Sequence, residues 1–113
     1  MSAQLIDLLS ALKAGSVPFL EVIKFIETYY QHYPTAFKNG NVHNEASQNQ
    51  GSAKVFAFAQ MNELTAADTL FLFAEHYKAV LATPDGVDHQ NIRQFMVNGW
   101  DGILFEGEAL VLK

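Results

Sequence analysis

The run VFAFA at 55–59 constrains this chain more than any other feature. With Ala53 before it and Met61 after it, only Lys54 and Gln60 are polar. A helix from a cap at Ser52 to about Asn62 would therefore be apolar nearly all round, and such a helix needs protein on every side. It belongs in the middle of a domain. So short a run also fits a buried strand over 54–58, because apolar residues in series do not separate the two periods.

Directly before it lies the opposite chemistry. Residues 39–52, NGNVHNEASQNQGS, pack amides with one His and one Glu into a loop. A polar loop feeding a core segment is how a scaffold presents a site, and equally how an ordinary buried helix begins.

The other segments supply material to surround the central helix. Leu5, Ile6, Leu8, Leu9 and Leu12 recur at helical spacing over 2–14, and Gly15 is a natural terminator. Ser16 looks like an N-cap with Pro18 tolerated in the first turn, and Phe19, Val22, Ile23, Ile26, Tyr29, Tyr30 and Tyr33 carry one apolar face as far as Pro34. The spacing over 65–83 predicts another helix, with Thr65 and Asp68 as a capping box and Leu70, Phe71, Phe73, Ala74, Tyr77, Val80 and Leu81 inward. Asp88 is the expected cap of a last helix over 89–97, ended by Asn98-Gly99, with Ile92, Phe95, Met96 and Trp100 buried.

Asn39-Gly40 is a turn signal, so 36–43 can form a small hairpin, and the tail over 103–112 alternates weakly as two short strands. The expected fold class is mainly α (α+β): one compact five-helix domain over 1–113, with a small antiparallel β element from 36–43 and 103–112.

Half of the 113 residues are hydrophobic, including nine Phe and four Tyr, enough for one aromatic-rich core. A formal charge of -5 with only seven Lys and Arg argues against nucleic acid and anionic membranes as partners. No apolar run approaches the roughly 18 residues of a spanning helix. The first residues lack a basic signal region and carry Asp7, so a cytoplasmic protein is expected.

The absence of Cys excludes disulfides, thiolate nucleophiles and zinc sites built on sulfur. His43-Asn44-Glu45 has the H-x-E spacing of zinc deaminases, but the Cys ligands of such a site are missing. No metal and no cofactor are expected. Ser52 lacks a nucleophile-elbow context. Trp100, Tyr29, Tyr30 and Tyr33 are expected at the core or its edge.

The richest polar string is Asp88-His89-Gln90-Asn91 with Arg93. At a helix start, exposed amides and the dipole favour a bound anion, and a His there can act as a base if a carboxylate orients it. The structural alternative is that His89 and Asn91 satisfy loop carbonyls and pin 39–52 onto this helix. Asn44, Glu45, Gln48 and Asn49 have the same ambiguity. Lys54 is either a surface residue or a partner for Glu45.

The strings PTAFKNG, NEASQNQGSAKVFAFAQMN and TPDGVDHQNIRQFMVNGWDGILF resemble the HopJ (HopPmaJ) type III effector protein family over about 17–105. That resemblance implies a name taken from a plant-pathogen protein delivered by type III secretion, which makes export into a host cell the alternative location. It also implies similar proteins in free-living bacteria and plants. Most relatives are expected to carry Cys at the position of Ala53 and Gly at that of Ala74, so this chain departs from the pattern twice. No catalytic residues come with the resemblance.

The expected function is a binding or interaction module for a protein or small-molecule partner, its polar patch formed by the 39–52 loop and the 88–93 helix start. The binding candidates are Asn44, Glu45, Asn49, Ser52, Lys54, Asp88, His89, Asn91 and Arg93. One alternative is a small hydrolase or isomerase using His89 and Glu45 as acid and base, with Asn49 or Asn91 holding an oxyanion. Another is a stress-related structural protein with no defined site. Monomer and homodimer both remain open.

Overall fold

The computed structural model describes residues 2–113. Helix α1 spans Ala3–Lys13, where the Ser2 hydroxyl accepts the Leu5 amide at 3.2 Å and Leu5, Leu9 and Leu12 face inward. Gly15 ends it at φ 76°, and the amides of Gly15 and Ser16 turn back to the carbonyls of Leu12 and Ala11. Helix α2, Phe19–Tyr29, starts from Pro18, not Ser16, whose hydroxyl instead donates to the Ala11 carbonyl.

The expected continuation of α2 to Tyr33 does not occur. Tyr30–His32 is strand β1, and Tyr33 is 52% exposed. Its amide, which a helix would have used internally, bonds the Ala109 carbonyl at 2.8 Å. The tail strand β5, Leu110–Leu112, runs antiparallel to β1, with His32 opposite Leu110. β5 therefore pairs with the end of the second helical segment and not, as the sequence suggested, with 36–43.

The hairpin forms as β2, Phe37–Asn39, and β3, Val42–Asn44. Its turn is Gly40-Asn41, with Gly40 at φ 58°, so Asn39 belongs to the strand and is fully buried. Strand β4, Ile103–Phe105, adds to the other edge of β2, giving the order β3-β2-β4. Two small antiparallel sheets result.

Helix α3, Gln50–Met61, settles the ambiguity of the apolar run in favour of the helix. Ala53 and Val55 to Ala59 are all buried. Phe56 is the hub: its ring lies 5.0 Å from Phe95, 5.3 Å from Phe73 and 6.1 Å from Phe37. The helix begins two residues before Ser52, from Asn49 in the left-handed conformation at φ 50°, ψ 40°.

The single helix expected over 65–83 is two: α4, Ala66–Phe71, and α5, Glu75–Ala82. Leu70, Leu72 and Phe73 are all buried, and one unbroken helix would spread them around its circumference. The break falls at Ala74, with φ 51° and ψ -123°, a conformation that suits glycine. Thr65 caps α4 through the Asp68 amide at 3.1 Å, but the Asp68 carboxylate pairs with Lys13 at 2.9 Å and does not complete a capping box.

Helix α6 spans Gln90–Asn98 and ends at Gly99, φ 58°. Its cap position is His89 in the left-handed conformation, φ 50°, not Asp88. Met96, expected inside, is 43% exposed. Trp100 lies in a short 3-10 turn, Gly99–Gly102, and donates its indole N–H to the Leu64 carbonyl at 3.0 Å. The whole is an α+β globule with six helices among the described residues, α4 being the shortest. No described helix is long and apolar enough to cross a membrane.

Candidate functional site

The 39–52 loop and the start of α6 do meet, through asparagines. Asn39 Nδ2 donates to the Asn91 carbonyl at 2.8 Å and to Asn91 Oδ1 at 3.0 Å. Asn44 and Asn91 exchange amide bonds in both directions, at 3.2 and 3.0 Å. Asn49 Nδ2 then donates to Asn44 Oδ1 at 2.8 Å. Asn39, Asn44 and Asn91 are buried, so this cluster pins hairpin, loop and helix together, but through asparagine side chains; among the described residues neither His89 nor Asn91 bonds a loop carbonyl as the structural alternative expected. Asn39 Oδ1 is buried without a protein partner, and turning the amide over would set it against the Asn91 carbonyl.

Above the cluster lies a cleft of about 360 Å³, walled by the first turns of α3 and α6 and by α5. Asn49, Gly51 and Ser52 line one side; His89, Gln90 and Asn91 line another. His76, Phe19, Phe73, Val42 and Ile92 close it. The rings of His76 and His89 are 5.1 Å apart, and Phe19 packs edge-on against His76 at 4.9 Å. The first amides of a helix have no internal acceptors, and neither Asn49 nor His89 supplies a side-chain cap to its own helix. The cleft thus offers donors from two helix starts and two imidazoles on an apolar floor.

Of the nine candidates from the sequence, Asn49, Ser52, His89 and Asn91 line the cleft, and Asn44 supports it from below. Four lie elsewhere. Glu45 pairs with His43 at 3.2 Å on the surface, and Lys54 pairs with Glu27 at 3.2 Å, not with Glu45. Asp88 and Arg93 form a clip beside the cleft: Arg93 donates to Asp88 Oδ1 at 2.7 Å, to the Asp88 carbonyl at 2.6 Å and to the Thr83 carbonyl at 2.7 Å. The Arg93 hydrogen bond holds the Asp88 carboxyl below the usual carboxylate range.

Among the described residues no carboxylate lines the cleft, and Glu45 is turned to His43 instead, so His89 and Glu45 do not form the acid–base pair. His89 Nε2 is 3.9 Å from Asp88 Oδ2, beyond hydrogen-bond reach. Among the described residues no cluster of three or more His, Cys, Asp or Glu side chains could hold a metal.

Sequence reasoning missed His76. It sits on α5, which the pattern fused with α4, and the break at Ala74 turns His76 toward α6. Close by, Glu75 Oε1 accepts the Phe19 amide at 2.7 Å and ties α2 to α5. Burial pushes the Glu75 carboxyl up, but the amides of Phe19 and Glu75 and the nearby His76 together hold it below its ordinary value.

This α+β scaffold with its polar cleft defines a small globular domain, and comparison identifies its kin. The family model for HopJ type III effector protein matches residues 5–110, so the chain belongs to the HopJ family. It is also similar to VPA0580, a protein of unknown function with a crystal structure: 44% sequence identity, TM-score 0.89, covering 100% of this chain and 95% of that one. No curated protein sequence matches significantly.

Proposed function

We propose that the protein is a binding module for a small polar molecule, with the cleft between the starts of α3 and α6 as its recognition site. One observation carries this: imidazoles from two different elements, 5.1 Å apart, face a 360 Å³ cleft. The left-handed backbone at Asn49 and His89 supports it, because non-glycine residues held in that region concentrate where a site is pre-organised. The chemistry on offer, donors without carboxylates, suits a ligand that presents acceptor oxygens. The asparagine cluster acts as its foundation and not as its contact surface. The reading applies equally to a protein working in the cytoplasm and to one delivered into a host cell.

The test is a titration of the protein with inorganic phosphate and with succinate, followed by NMR. Saturable shifts are expected in the imidazole signals of His76 and His89 and in the amides of Gly51, Ser52, Gln90 and Asn91, and His76→Ala should abolish saturation while leaving the fold intact. Shifts spread over the surface, or none with either probe, would overturn the proposal.

A further inference from the structure

A second cavity lies on the other side of the Phe19–Glu75 contact. It is a groove of about 490 Å³ between the end of α1 and the α4–α5 pair, so the segment 73–76 serves both sites: Phe73 and His76 face the cleft, Ala74 and Glu75 the groove. Its volume falls within the roughly 300–1,000 Å³ of small-molecule sites. Its lining is more apolar than that of the cleft, with Leu12, Val17, Pro18, Phe71, Tyr77 and Leu81 on its walls.

Three charged side chains border it, and two are already engaged. Lys13 pairs with Asp68 at 2.9 Å, and Glu75 accepts the Phe19 amide at 2.7 Å. The Lys78 ammonium forms neither an ion pair nor a hydrogen bond among the described residues, although the side chain lines the groove; only its backbone amide is engaged, donating to the Ala74 carbonyl. Its amine rests against Gly15, where an added Cβ would stand 2.7 Å from Nζ. Nor does it have a capping duty there, because the carbonyls of Ala11 and Leu12 already accept the amides of Ser16 and Gly15.

We infer that this groove binds an amphipathic monoanion, an aliphatic chain ending in a carboxylate, with Lys78 as its counter-ion. Apolar walls favour the chain, because burying it removes hydrocarbon from water. The unengaged ammonium selects a negative head. With Lys13 paired to Asp68, Lys78 is the one cation on the lining without a partner among the described residues, so it matches one negative charge, and the Glu75 carboxylate on the same groove disfavours a second, as in a phosphate monoester. The site is separate from the cleft and rests on separate residues.

Calorimetry and NMR with decanoate below its micelle range test the assignment, with decanol and decyltrimethylammonium as uncharged and cationic comparators. Decanoate is expected to bind saturably, with shifts confined to 12–18 and 71–81, and more tightly than either comparator. Lys78→Gln should weaken decanoate by about threefold to fivefold and leave decanol unchanged, which also verifies that the variant is folded. Leu81→Glu, at a half-exposed wall position, should weaken decanoate and decanol together. The inference is overturned if decanoate does not saturate, if the cationic comparator binds as well, or if Lys78→Gln binds decanoate like the parent protein.

Discussion

Asn91 and Arg93 stand two residues apart at the start of α6, and each ties the helix to a neighbour, but they do so in opposite surroundings. Asn91 is buried and bonds only to other neutral amides and carbonyls. Arg93, its own side chain 13% exposed, closes a charged clip with Asp88 and Thr83, and it is these partners that face water: the Asp88 side chain is 67% exposed. Water can replace a bond lost from the clip, whereas nothing replaces one lost from the asparagine cluster. The quieter residues, with no charge to draw attention, hold the site's foundation.

The comparison breaks most directly at Asn91. Asn91→Leu takes partners from Asn39 and Asn44 inside the core, and chemical denaturation should show a loss of about 3 kcal/mol. Combined with Asn44→Ala, the loss should fall short of the sum, because both changes cut the same bonds. Equality of Asn91→Leu with the parent protein would mean that the cluster is replaceable.

Arg93→Ala removes more hydrogen bonds but should cost only about 1–2 kcal/mol, because Asp88 and Thr83 regain water. Raising the salt concentration should shrink this difference and leave that of Asn91→Leu unchanged. A change to the backbone alone sharpens the contrast from a third side. Ala74→Gly should stabilise the protein by about 1 kcal/mol, read as a higher melting temperature, because glycine occupies φ 51° without a Cβ clash.

The smallest expected effect is a dependence on acid. The Arg93 hydrogen bond holds the folded-state pKa of Asp88 below its ordinary 3.8, so its contribution is present above pH 3.8 and is lost as pH falls through the lower folded value. The gap between parent and Arg93→Ala should therefore narrow below pH 3.8, while that of Asn91→Leu persists, since amides do not titrate. His32 adds a separate acid sensitivity. Burial and then Lys54 lower its pKa from 6.5, so its share of stability is present above pH 6.5 and declines below it.

The sequence was a good guide to faces and a poor one to partners. The Thr65 cap, the Gly15 and Gly99 stops and the nearly all-apolar middle of α3 are local facts, fixed by side-chain chemistry within a few residues. The meeting of the polar loop with the start of α6 was also anticipated, but which side chains would be buried was not. Asn39 looked like half of a turn, Glu45 like an acid, and Asp88 like a cap.

Periodicity by itself determined that most of this chain would be helical and that VFAFA would lie at the centre, because burial of apolar surface depends on spacing along one segment. Only the tertiary structure decided that β5 joins β1, that the helix over 65–83 breaks at Ala74, and that Asn49 and His89 take left-handed backbones where Ser52 and Asp88 offered ordinary caps. Those outcomes depend on backbone groups and core volumes contributed by residues far apart in the chain, and no local pattern records who the distant partner will be.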